Sequence, residues 1–102
     1  MEIIYKGTLY EVTVTAPYMI DGARLYNLAT QTSITATLTF VSEENGNHNY
    51  TMTLTPEETA SIPQGIYNLE LFSMTPSGFP TIHAYYENYA KVKESSFTKE
   101  YA

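Results

Sequence analysis

Two histidines, one aspartate and ten glutamates are the side chains of this chain suited to moving a proton or holding a metal. In the strand register derived below, His83 stands opposite Glu70. A His–Glu pair is half of a metal site or of a general-base pair. No third ligand or nucleophile follows at useful spacing, so the pair reads as a surface contact. His48 lies beside the turn residues Asn45-Gly46. Asp21-Gly22 opens like a calcium loop, which needs oxygen ligands at alternate positions. Arg24, Tyr26 and Leu28 occupy those positions, which excludes calcium. Glu43-Glu44 reads as a solubilising hairpin tip, and Glu57-Glu58 as the acidic first turn of a helix. Acid–base work needs carboxyls whose pKa values are split by burial, and loop glutamates do not provide that. There is no Gly-rich phosphate loop, Gly-x-Ser-x-Gly elbow or cysteine. The expectation is a protein that is not an enzyme, with no cofactor, no metal and no small-molecule substrate.

The elements that carry these side chains follow from composition and periodicity. With 102 residues the chain holds one domain and one core. A net charge of −6, with Lys6, Arg24, Lys91, Lys93 and Lys99 as its only Lys and Arg residues, argues against a nucleic-acid partner. Absent disulfides mildly favour folding in the cytoplasm. The opening Met1-Glu2-Ile3-Ile4-Tyr5-Lys6 lacks the basic and long apolar regions of a signal peptide, and no run is long enough to cross a bilayer.

Alternation of period two recurs at Tyr10–Thr15, Ile34–Phe40, Tyr50–Leu54, Tyr67–Leu71 and Ile82–Glu87. Short strands at Ile3–Lys6 and near Leu25–Leu28 bring the number to about seven. A one-residue slip would move an apolar set into water, so the turns can be tested for register. A three-residue loop Glu44-Asn45-Gly46, with a G1 bulge at Gly46, sets Phe40 opposite Tyr50, Leu38 opposite Met52 and Ala36 opposite Leu54. A four-residue loop Thr75–Gly78 sets Leu71 opposite Ile82, Leu69 opposite Ala84 and Tyr67 opposite Tyr86. The stretch from Pro17 to Ser33 is mostly polar and reads in part as a connection between sheets.

Between two strands, Thr55-Pro56-Glu57-Glu58 is a helix start with a cap, a first-position proline and a capping-box glutamate. Ile62-Pro63 ends it, and Gly65-Ile66-Tyr67 begins the next strand. Strand, helical turn, Gly-x-Tyr and strand form the E–F corner of an immunoglobulin-like sandwich, where Tyr67 bonds back to upstream backbone. The expected fold is therefore an all-β, immunoglobulin-like β-sandwich of about seven strands with one helical turn at residues 56–61. The domain spans 1–92, and 93–102 form a C-terminal tail. Tyr10, Tyr50, Tyr67 and Tyr86 are assigned to the core. Phe72, Tyr85 and Tyr89 on the outer face, with Phe97 and Tyr101 in the tail, are the expected partner interface, because aromatic side chains supply broad contact area there.

The span from Ile34 to Ser95 resembles small immunoglobulin-like structural proteins of tailed bacteriophages. The motifs behind this are Leu54-Thr55-Pro56-Glu57-Glu58-Thr59-Ala60 leading into Pro63-Gln64-Gly65-Ile66-Tyr67, then the Ser77-Gly78 turn and a last strand with a charged tail. Asp21-Gly22 followed by Asn27-Leu28 is similar to the early strands of baseplate-type domains. The resemblance implies a structural virion protein. Its length and acidic charge suit an auxiliary capsid, or head-decoration, protein docked on the major capsid protein and neighbouring virion proteins, without direct nucleic-acid or membrane contact. Its location would be the virion, after folding in the host cytoplasm. The Arg-poor composition also suits phages of the crAss-like group. A baseplate or tail-tip component is the alternative, followed by a carbohydrate-binding or inhibitor module.

Overall fold

A computed structural model describes residues 1–94. Its strands are β1 (Glu2–Tyr5), β2 (Tyr10–Ala16), β3 (Gly22–Asn27), β4 (Thr32–Glu44), β5 (Asn47–Leu54), β6 (Gly65–Met74) and β7 (Pro80–Lys93), with one helix, α1 (Pro56–Ser61), between β5 and β6. The fold is an immunoglobulin-like β-sandwich. Neighbouring strands run in the order β1-β7-β6-β3-β4-β5-β2, and β1 joins β7 in parallel. The long strand β4 belongs to both layers. Its first half pairs with β3 as far as Ala36↔Ala23, and its second half pairs with β5 from Thr37↔Thr53 onward. Ala36 therefore stands beside Ala23 rather than opposite Leu54. A small side chain suits the residue at which the strand leaves one layer for the other.

The polar stretch read in part as a connection contains β3, the most enclosed strand. It pairs with β4 on one side and β6 on the other, and Ala23 and Leu25 are fully buried. Only alternate residues of β3 need to be apolar, because Arg24 and Tyr26 point outward. Two apolar inward positions, followed by a buried Asn27, are too few for the alternation to stand out. Leu25, Met52, Leu54, Tyr67, Leu69 and Leu71 form the middle of the core, and Ile4 and Val92 close one end.

Both hairpins differ from expectation in instructive ways. Phe40↔Tyr50 and Leu38↔Met52 pair as expected. The turn, however, is the two-residue Asn45-Gly46, with φ of 52° and 82°, and Glu44 pairs with Asn47. Positive φ at both central residues is the type I′ geometry that Asn-Gly favours. The extra residue that restores register is Val41, a bulge between Phe40 and Ser42. The strand absorbs the offset, because the turn's local preference is the stronger constraint.

In the β6–β7 hairpin the Thr75–Gly78 turn forms, with Gly78 N–H donating to Thr75 O at 2.9 Å. Phe79 joins the loop, since Thr75 N–H donates to Phe79 O and Met74 pairs with Pro80. Two further irregularities, between Leu71 and Phe72 and between Tyr67 and Leu69, shift the register again. The resulting pairs are Phe72↔Ile82, Leu71↔Ala84, Leu69↔Tyr86 and Tyr67↔Ala90. Tyr86, assigned to the core, is about half exposed, and Ala90 takes the place opposite Tyr67. Tyr89, assigned to the outer face, turns inward and packs against the core. β7 extends to Lys93, one residue past the expected boundary.

The corner between β5 and β6 forms as its residues require. Thr55 Oγ1 accepts from Glu58 N–H at 3.2 Å, and Thr55 N–H donates to Glu58 Oε1 at 2.9 Å. Thr59, fully buried, donates its hydroxyl to Thr8 O at 2.7 Å and ties α1 to the β1–β2 connection. Tyr67 donates its hydroxyl to Pro63 O at 2.7 Å, which is the expected tyrosine corner. Gly65 has a φ of +141°, and a Cβ there would lie 2.8 Å from Asn27 Nδ2, so a side chain at this position would strain the backbone and displace Asn27.

Candidate interaction surface

The groups first considered for chemistry are held in structural contacts. Glu70 pairs with Arg24, whose Nε donates to Glu70 Oε1 at 2.7 Å, and the residue across from it on β7 is Tyr85. The expected His83–Glu70 pair is thus absent, displaced by the extra loop residue Phe79 together with the register shift beside Leu71. His83 Nε2 lies 2.8 Å from Ser73 Oγ, and its ring packs at a tilt against Tyr18, with centroids 4.8 Å apart. His48 sits across from Glu43, Nε2 to Oε2 3.5 Å, beside the Phe40 ring. Asp21 Oδ2 accepts from Met74 N–H at 2.6 Å, and Asp21 N–H donates to Phe72 O. The lone aspartate therefore fastens the β2–β3 connection to β6. Among the described residues no cluster of three His, Asp or Glu side chains could hold a metal ion.

Among the described residues three buried or half-buried phenols are the perturbed titratable groups. Tyr10 donates to Glu2 Oε1 at 3.1 Å and shares a 2.8 Å bond with the Tyr89 hydroxyl. Burial first, and then Tyr89 and Glu2, push the Tyr10 phenol far above its ordinary range. Burial raises Tyr89 as well. Tyr67 is raised by burial, against a smaller lowering by the Asn27 side chain. Each of these hydroxyls stays protonated and bonded, as a structural group should.

Of the expected interface residues, Tyr85 and Phe72 do share the outer face of the β3–β6–β7 layer. Tyr85 is about half exposed, and its hydroxyl accepts from Asn68 Nδ2 at 2.7 Å. Phe72 is half-buried, its ring laid over Gly22, where any Cβ would overlap it. The Arg24–Glu70 pair lies beside them. Tyr89 belongs to the inside, and Phe97 and Tyr101 lie outside the described residues.

A second surface escaped the sequence reading. The β6–β7 hairpin and the β2–β3 connection meet at one end of the sandwich, held by Ser73 Oγ donating to Met19 O at 3.2 Å and by the Asp21–Met74 bond. This end exposes Met19, Met74, Phe79 and Ile82, with Phe79 69% and Met19 67% exposed. Solvated turns rarely carry this much apolar surface unless it meets something. The available signal was Met74 and Phe79 flanking a turn, where polar residues are the norm. An open cleft of about 320 Å³ lies elsewhere, between Asn27–Thr30, Gln64–Ile66, Asn68 and Asn88. Its amides are engaged within the fold: Asn27 Oδ1 accepts from Ala29 N–H, and Asn68 Oδ1 from Asn88 N–H.

No family model matches the chain, and no curated protein or solved structure matches it.

Proposed function

We propose that this protein is a non-enzymatic structural component of a tailed-phage virion, an auxiliary capsid protein that docks on the major capsid protein and reinforces its lattice. The observation that carries the reading is the apolar end formed by Met19, Met74, Phe79 and Ile82. It is presented on a rigid sandwich whose hairpin is anchored by the Asp21 and Ser73 bonds. A surface of this kind gains free energy by burial against a partner. Repeated over many copies on a lattice, a modest contact becomes firm attachment through avidity. The corner motif from Leu54 to Tyr67, whose resemblance is to small phage structural proteins, supplies the choice of partner.

The test is co-expression with the major capsid protein of the genome that encodes this chain, followed by gradient sedimentation of assembled particles. The expected result is co-migration with particles. Replacing Met74 and Phe79 together by serine should reduce occupancy at least ~10-fold, the loss of about 1.4 kcal/mol or more of apolar burial. Absence of the native protein from particles, or occupancy unchanged in the double variant, would overturn the reading.

A further inference from the structure

We propose that β2 is a self-association edge: two copies pair their β2 strands antiparallel about a two-fold axis through Thr13. The proposal rests on the ladder and charge pattern of β2 and is independent of the virion reading.

Among the described residues no strand pairs with the side of β2 turned away from β5. Unpaired edges invite another strand, and folds usually blunt them with short length, bulges, proline or charge. The other edges of this sandwich are blunted. β1 has four residues. The open stretch of β7 begins at Pro80 and is broken by register shifts and by Asn88 at φ 52°. β4 carries the Val41 bulge and Glu43-Glu44. In contrast, β2 runs seven residues in unbroken register, Tyr10↔Leu54 to Ala16↔His48, without proline or lysine. Its one charge is Glu11.

The occupant follows from self-complementarity. Pairing about Thr13 uses the full strand, because Tyr10 and Ala16 lie equally far from it and Pro17 stops the ladder beyond. It sets Val12 opposite Val14, both half-buried on the inner face. It sets Glu11 opposite Thr15, so a carboxylate meets a hydroxyl and never its own copy. Moving the axis to Glu11 would oppose two carboxylates, a destabilising arrangement. On the outer face the rows Thr39–Thr51–Thr13 and Thr37–Thr53–Glu11 cross this layer. The dyad continues the first into a second copy through a Thr13–Thr13 pair, which is among the favourable cross-strand pairs.

The experiment is sedimentation velocity of the full chain from micromolar to sub-millimolar concentration, with single lysine substitutions at two exposed positions. Thr13→Lys opposes two lysines at the axis and should weaken the dimer by ~10-fold or more, although it lowers the net negative charge. Thr15→Lys faces Glu11 of the second copy and should tighten it several-fold. Thr13→Lys mixed with Thr13→Glu should restore a heterodimer. Retained unfolding midpoints in urea show that the variants fold. A native chain that stays monomeric throughout would overturn the proposal. So would a dimer that both lysines strengthen alike, or one that forms only after residues 95–102 are removed, since that segment would then occupy the edge.

Discussion

Tyr67 shows how one hydroxyl can specify a corner. Its ring fills the space between layers, and its O–H reaches Pro63 O across the start of β6. Tyr67→Phe keeps the ring and removes the bond. The expected cost is about 1–2 kcal/mol, from a lost hydrogen bond and a carbonyl left short of a partner. For a domain of this size the melting temperature should fall by roughly 4–16 °C. Urea and thermal unfolding of the variant measure both, and an unchanged midpoint would show that the bond contributes nothing. Tyr10 and Tyr89 act differently, since they share one hydrogen bond from strands distant in sequence. That pairing could not be read from spacing, because it depends on a reversal of facing within β7.

At the scale of elements, β3 carries the clearest prediction. It is flanked on both sides, and Leu25 is fully enclosed. Leu25→Ala should cost about 2–5 kcal/mol through lost burial and the cavity left behind. That is a large share of the stability of a small domain. A cost below about 1 kcal/mol, measured by urea unfolding, would mean that β3 is peripheral. The helix and the corner were legible because their signals are local: a cap, a proline, a glutamate three residues on, and a glycine before a tyrosine. Hairpin register was legible only in part. In β4–β5 the apolar alternation selected the correct partners, while the compensating residue went to Val41 instead of the turn. In β6–β7 the added loop residue Phe79 and two irregularities beyond it altered every pair. A bulge leaves almost no mark in sequence, since its cost is repaid by side chains on other strands. Tyr89 turned inward for this reason, while Tyr86, opposite Leu69, is left about half exposed, and the Glu70–His83 pair was lost along with the expected register.

For the whole molecule, the raised phenols set an alkaline limit. Tyr10, Tyr67 and Tyr89 are harder to ionise when folded than in an unfolded chain, where tyrosine titrates near pH 10. The unfolded chain therefore loses protons first as pH rises. Stability from these groups is fully present below about pH 10 and declines above it, toward their higher folded values. Urea midpoints should be level between pH ~8 and ~9.5 and fall by pH ~11. Tyrosinate absorbance should show a late fraction of phenols that appears together with unfolding. Ionisation of all ten tyrosines in one ordinary step before unfolding would contradict the buried placement.

Period-two alternation and local turn chemistry determined that this chain is a β-sandwich, with a helical turn at 56–61 and a tyrosine corner, because those signals act over a few residues. They also marked Phe72 and Tyr85 as outward-facing. Only the tertiary structure decided that β4 serves both layers, that β3 lies enclosed, and that the β2–β3 connection and the β6–β7 hairpin come together at one end that exposes Met19, Met74 and Phe79. Each of these outcomes is a balance among strands far apart in sequence, settled by which side chains fill the shared interior. No window of neighbouring residues contains that information.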